Sequence, residues 1–251
     1  MPAEENRHLL SQDVDQHINT DAVCAPSIGA TGLHTQIEAK PRVSGPRAAI
    51  MRIDCPTQMP WQATLFTQRL QLRTLAETDR SQFIELIRTN TDHLAVFSPV
   101  LHENESLSAM FERQLALTLQ GMKTGRGMRR VIALPDNTIV GVVMFNRIER
   151  GMDNFAEISF WIGHQYTRNG YALEAVRAMT AFALTSLPSG LGVDTVRAFV
   201  QIENTASATM MAKVGYTHKS RQTPVMTGSE YILHDEWEIE VTLSHIQLQS
   251  G

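Results

Sequence analysis

The run Phe155-Ala156-Glu157-Ile158-Ser159-Phe160-Trp161-Ile162 predicts a strand with Ala156, Ile158, Phe160 and Ile162 on one face and Glu157, Ser159 and Trp161 on the other. Further on, Ala172, Ala175, Val176, Met179, Phe182 and Ala183 recur at i, i+3, i+4 and i+7. That spacing predicts a helix whose one apolar face packs on a sheet. The link between the two is short, Thr167-Arg168-Asn169-Gly170-Tyr171-Ala172, and the helix begins near Gly170.

Upstream, Leu65 to Arg73 reads as a single strand, because Leu70 and Leu72 alternate with Arg69, Gln71 and Arg73. Thr78 or Asp79 is placed to cap a helix carrying Phe83, Leu86 and Ile87, and the stretch to Pro99 then turns. A second helix opens after Ser106, carries Leu107, Met110, Phe111, Leu115 and Leu119, and stops in the glycine-rich run from Gly121 to Gly127. Val131 to Leu134 and Thr138 to Phe145 are β-branched runs joined across Pro135-Asp136-Asn137, which has hairpin composition. Downstream of the apolar-faced helix, the break at residues 187–190 leads to a strand from Thr195 to Val200. A short helix follows from Glu203-Asn204-Thr205-Ala206-Ser207, with Gly215 as its C-terminal cap. Tyr231 to Leu233 and Trp237 to Val241 alternate as closing strands.

Residues 1–60 show neither period for more than a few positions. Pro26, Pro41, Pro46, Pro56 and Pro60 interrupt any helix there, so this segment is expected to be a disordered extension ahead of one domain spanning residues 61–245. The chain has 251 residues, 43% hydrophobic and 19% charged, enough to bury one substantial core. No run approaches the roughly 18 apolar residues that a membrane span needs, and the amino terminus has no basic and apolar export pattern, so a cytoplasmic protein is expected. A net charge of −4 and a pI near 6.1 argue against a nucleic-acid partner, which calls for a basic face. Cys24 and Cys55 are too few for a disulfide framework or a zinc site, and the nine histidines show no ligand spacing, so the chemistry is expected to use no metal.

Two features carry chemistry on the residues alone. A glycine where a helix opens leaves unpaired N–H groups that can point at an anion, so Gly170 and its neighbours suit a phosphate. Glu157 is a carboxylate in mid-strand. It is either a solvent-facing residue or, if neighbouring helices desolvate it, a group with a raised pKa suited to accepting a proton from an ammonium.

The run around Gly170 and Ala172 resembles the acyl-CoA pyrophosphate loop of the GNAT N-acetyltransferase superfamily, Gln/Arg-x-x-Gly-x-Gly/Ala, with Thr167 standing where that pattern has Gln or Arg and Arg168 beside it. Asn204, Ser207 and Val214-Gly215-Tyr216 are similar to the Asn-x-x-Ser and Leu-Gly-Phe-like elements of its ribosomal-protein N-terminal acetyltransferase (RimJ/RimL-like) branch. The resemblance implies an α/β acyl-CoA N-acyltransferase fold: a mixed, largely antiparallel sheet with splayed central strands flanked by helices. It implies acetyl-CoA as acetyl donor, held by Phe160, Trp161 and Ile162, by Arg168, Asn169, Gly170, Tyr171 and Ala172, and by Asn204 and Ser207. It further implies Glu157 as the base near the reacting amine and Ser207 as the group that stabilises or protonates the leaving thiolate. Tyr216 is read as core. The implied acceptor is a primary amine, a protein N-terminal α-amine ahead of a polyamine or an aminoglycoside. A non-catalytic acyl-CoA-binding regulatory protein is the alternative of another class. Oligomeric state is not legible.

Overall fold

The computed structural model describes residues 52–54, 60–227 and 230–241. Among them one sheet of nine strands runs in the order β1-β2-β3-β4-β5-β6-β7-β9-β8. The strands are β1 (Arg52–Asp54), β2 (Thr64–Phe66), β3 (Gln71–Arg73), β4 (Met128–Ala133), β5 (Ile139–Glu149), β6 (Phe155–Ile162), β7 (Thr195–Gln201), β8 (Thr217–Thr227) and β9 (Glu230–Glu240). Every pairing is antiparallel except β6 with β7. The helices are α1 (Arg80–Arg88), α2 (Thr91–Ala95), α3 (Leu107–Thr124), α4 (Tyr171–Leu184) and α5 (Thr205–Val214). This is the expected fold class, a mixed and largely antiparallel sheet flanked by helices.

Alternation assigns each face its helices. Ala156, Ile158 and Ile162 of β6 join Val143 and Phe145 of β5, Val196 and Ala198 of β7, and the apolar stripes of α4 and α5 in the larger core. Trp161, Val142 and Met144 point the other way, into a second core with Phe83, Ile87, Met110 and Phe111 of α1 and α3. Each buried Leu, Ile or Phe in these cores contributes about 1.5–3 kcal/mol over an exposed one. Phe83 holds the second core to β6, meeting the Trp161 ring edge-on at 6.0 Å. Ser106 caps α3 by accepting from the Ala109 N–H at 3.2 Å, and α3 ends on Gly125 in the left-handed region.

Several expectations need correction. Residues 65–73 are two short strands, because Thr67 to Leu70 form a tight turn: the Thr67 N–H donates to Leu70 O at 2.9 Å, and the Leu70 N–H to Thr67 Oγ1 at 3.0 Å. The domain boundary at 61 falls inside the fold, since β1 pairs with β2. Disorder in residues 1–51 and 55–59 lies outside the described residues. Asp79 precedes α1 but makes no capping bond. Its carboxylate is held by both terminal nitrogens of Arg73, at 2.7 and 2.8 Å, and by the Ala76 N–H at 2.9 Å. Tyr231–Leu233 and Trp237–Val241 belong to one strand apart from Val241, and β8, absent from the sequence reading, pairs with it at the sheet edge.

Candidate active site

β6 and β7 pair from Phe155 with Thr195 to Ile158 with Ala198 and no further, although β6 runs on to Ile162 and β7 to Gln201. The strands therefore part over their last residues, which is the expected splay. The other edge of β6 stays paired with β5, and the Gly163 N–H donates to Val140 O at 2.9 Å. In an antiparallel ladder the direction of the backbone groups alternates along the strand. Ser159 and Trp161 therefore bond toward β5, while Phe160 and Ile162 direct their N–H and C=O groups into the gap beside β7.

At the end of β6 the chain makes a 3-10 turn, His164–Tyr166, before α4. Buried Asn90 secures that turn: its Oδ1 accepts from the His164 N–H at 2.6 Å, and its Nδ2 donates to Leu86 O at 2.8 Å. The Thr167 hydroxyl turns back to His164 O at 2.7 Å. Arg168 and Gly170 are both left-handed, with φ of 62° and 78°. Glycine takes that conformation freely, while at Arg168 it marks a loop held in place by its surroundings. Gly170 supplies no side-chain cap to α4, and the first backbone bond across the helix start is from the Glu174 N–H to Gly170 O. The N–H groups of Tyr171, Ala172 and Leu173 are thus the orphan donors of a helix start, ready for an anion.

The far side of the gap is the start of α5. Asn204 Oδ1 accepts from the Ser207 N–H at 3.0 Å, capping that helix, which leaves the Asn204 amide nitrogen for another partner. Among the described residues no hydrogen bond engages Ser207 Oγ, and Ser207 is half-buried. Tyr216 is core: its hydroxyl shares a 2.8 Å bond with Thr180 Oγ1, and burial pushes its pKa above the ordinary phenol value. Met211 is also buried.

Glu157 faces away from α4, as the alternation predicts. Its Oε1 is 2.8 Å from Arg147 Nη2, and Arg197 is its register partner on β7. Burial pushes its carboxyl above the ordinary value, and the opposing pull of Arg147 and Arg197 does not cancel that rise. Beyond it the same face carries matched charges, Arg197 with Glu238 at 2.9 Å, Lys219 with Glu238 at 2.9 Å and Arg221 with Glu236 at 2.5 Å.

Phe160 and Ile162 thus lie on the unpaired end of β6 that leads to the 168–172 loop, β7 leads from its own unpaired end to Asn204 and Ser207, and Glu157 lies in the paired part of the strands. Trp161 is placed differently from its two neighbours on β6. Its side chain is buried against Phe83 and its backbone is directed toward β5, away from the gap. Sequence reading also missed Arg147 and Arg197 beside Glu157, and Arg69, which reaches the loop from the β2–β3 turn with Nη1 3.0 Å from Asn169 O. No local signal marks Arg69, because its partners lie about a hundred residues away in the chain.

Residues 69–217 match the family model of the acetyltransferase (GNAT) domain. No curated protein matches the sequence. Among solved structures the chain is similar to Mycobacterium smegmatis RimJ in complex with CoA-disulfide, at 18% identity and a TM-score of 0.61 over 76% of this chain and 88% of that one. It is similar to the ribosomal-protein-S5-alanine acetyltransferase of Vibrio fischeri, at 15% identity and a TM-score of 0.61 over 70% and 96%. The microcin C7 self-immunity acetyltransferase MccE, in complex with acetyl-CoA and AMP, aligns at 14% identity and a TM-score of 0.60 over 70% and 94%. At these identities the structural likeness speaks for the fold.

Proposed function

The chain belongs to the acetyltransferase (GNAT) family, and on that premise we propose that it moves the acetyl group of acetyl-CoA to the α-amine of a protein N terminus. The observation that carries this reading is the parting of β6 and β7 after Ile158 and Ala198, directly below a loop of orphan amides. The pyrophosphate meets the N–H groups at the start of α4, and the pantetheine arm lies along the free backbone edge of Phe160 and Ile162, with Asn204 across from it. A backbone N–H on that edge polarises the thioester carbonyl. The neutral amine attacks the carbonyl carbon, the C–N bond forms and the C–S bond breaks. Glu157, directly or through water, takes the amine proton, and Ser207 Oγ stabilises or protonates the departing thiolate.

Two further observations support the choice of acceptor. A polyamine or aminoglycoside is a polycation and calls for several free carboxylates, yet on this face Glu157, Glu236 and Glu238 each have an Arg or Lys partner, leaving Glu149 as the carboxylate near Glu157 without an ion pair among the described residues. Two of the similar structures are a RimJ and a ribosomal-protein-S5-alanine acetyltransferase. The test is thiol release from acetyl-CoA with a panel of peptides bearing free N termini, polyamines and aminoglycosides. Peptides should be the best acceptors, with mass spectrometry placing the acetyl group on the α-amine. Preference for a polycation overturns the acceptor, and thiol release with none of them leaves a non-catalytic binder.

A further inference from the structure

Arg69 sits in the turn between β2 and β3 and closes on the first turn of α4. Thr67 Oγ1 donates to Glu174 Oε1 at 2.6 Å and the Arg69 N–H to the same oxygen at 2.9 Å. Arg69 Nε donates to Glu174 Oε2 at 2.7 Å, and Nη2 lies 2.7 Å from that atom. The remaining nitrogen, Nη1, donates to Asn169 O, and the guanidinium carbon is 5.0 Å from the centre of the Tyr171 ring. A Cβ placed on Gly170 would come within 3.3 Å of Arg69 Nη2. The guanidinium therefore spans the loop from Asn169 to Glu174, with Gly170 against it.

Glu174 is an awkward neighbour for an anion site. A carboxylate in the first turn of a helix is drawn to the same orphan amides and the same positive end of the dipole that a phosphate uses. Left free, it would occupy those amides or repel the incoming charge. Here four donors turn it toward the β2–β3 turn, and Arg69 cancels its charge. The same side chain fixes the Asn169 carbonyl, which lies between the two left-handed residues of the loop. Each of the three guanidinium nitrogens has a partner within the protein, Glu174 for Nε and Nη2 and Asn169 O for Nη1, which gives Arg69 the geometry to hold the loop.

We propose that the Arg69–Glu174 clasp is a positioning device for cofactor binding: it withdraws Glu174 from the amides that open α4 and masks its charge from the pyrophosphate. This rests on the reading of the loop as the acetyl-CoA site. It makes Arg69 a residue that acts on affinity through Glu174.

The experiment compares Arg69→Met, Arg69→Lys, Glu174→Gln and the Arg69→Met/Glu174→Gln double variant with the wild type. Binding of acetyl-CoA and of its 3′-dephospho form is measured by calorimetry, KM and kcat with the best acceptor, and folding by thermal unfolding. Arg69→Met should weaken both donors by roughly 5- to 30-fold, the effect of one unmasked charge near a partly solvated anion. The loss should be carried by KM, with kcat changed by less than about twofold. Adding Glu174→Gln should recover at least about threefold of the loss, and Arg69→Lys should fall between wild type and Arg69→Met, since it keeps the charge without the fork. If Arg69→Met does not fold, the Arg69→Lys and Glu174→Gln arms carry the same comparison. Unchanged affinity in Arg69→Met, no recovery in the double variant, or a loss confined to the donor with a 3′-phosphate each overturns the clasp. A wild type that binds neither donor overturns the loop assignment beneath it as well.

Discussion

Glu157 and Glu174 stand near opposite ends of the stretch from β6 to the first turn of α4, each partly buried and each beside an arginine, yet their carboxyl groups are shifted in opposite directions. Burial raises both. At Glu174 the Thr67 hydroxyl, the Arg69 N–H and the Arg69 guanidinium outweigh it, so its pKa falls below the ordinary carboxylate value. At Glu157 the contacts with Arg147 and the charge of Arg197 do not, and its pKa rises. Arg147 is half exposed and meets Glu157 through Nη2 at 2.8 Å while lying over the Phe155 ring, and Arg197 spends its Nε on Glu238. The arginine alone does not decide the sign; the number of donors committed to the carboxylate does. One end of the stretch thus holds a fixed anion, and the other a group able to exchange a proton.

The strongest way to break this comparison is Glu157→Gln, which keeps shape and hydrogen bonding but removes the base. Turnover should fall on the order of 10²- to 10⁴-fold with acetyl-CoA affinity little changed. Alkaline buffer should narrow the deficit, because an α-amine titrates near about 7.7–8.0 and is then supplied deprotonated. Rate against pH for both enzymes is the measurement, and wild-type turnover by the Gln variant across that range removes Glu157 from the chemistry.

At the other end, Gly170→Glu puts a second carboxylate at the amides and a side chain on a residue at φ 78°. Acetyl-CoA affinity should drop on the order of 100-fold or more in a protein that still unfolds cooperatively. Near-unchanged binding by calorimetry would show that the anion sits elsewhere.

How much of this was legible in the chain depended on how local its cause was. β6, the loop and α4 were readable because alternation, a helix-opening glycine and a helical apolar stripe lie within a few residues of one another. The Thr67–Leu70 turn was not, since a hydroxyl and a backbone bond break a run whose leucines still alternate. β8 was missed because it is an edge strand with mostly exposed side chains, two extra residues between its Lys219 and Gln222 pairings, and Pro224 in its length. Arg69 looked like one polar position in an alternating strand, because Asn169 and Glu174 are distant in sequence. The clasp exists only after α4 has packed on the larger core.

Ser207→Ala sharpens the comparison from the opposite wall of the gap. Ser207 Oγ has no hydrogen-bond partner among the described residues, so its removal leaves no buried partner unsatisfied and should hardly affect folding. If it assists the thiolate, turnover should fall roughly 10-fold, and alkaline pH should leave that deficit in place because substrate deprotonation is not the step impaired. A pH profile that rescues Ser207→Ala as it rescues Glu157→Gln would assign both defects to the amine and exclude a role at the sulfur.

The smallest effect, and the most direct on the two carboxylates, is in stability. Glu157 has a folded pKa above its unfolded value, so its favourable contribution is present below the unfolded pKa and is lost as pH rises through the folded one; at pH 7 its ionised form burdens the fold. Glu157→Gln should therefore hold or raise Tm at pH 7, by about 1–2 °C, and the gain should shrink toward pH 5. Glu174 is the reverse. Its folded pKa is depressed, so it stabilises the fold above the unfolded pKa and loses that contribution only as pH falls through the folded value. Glu174→Gln should lower Tm by about 2–5 °C equally at pH 7 and pH 5, since the carboxylate stays ionised over that interval while its donors lose a charged acceptor. Thermal unfolding of both variants at the two pH values reads the signs directly. Two shifts of the same sign, or a Glu174→Gln loss that disappears by pH 5, would mean that the donors counted around each carboxylate do not govern its charge.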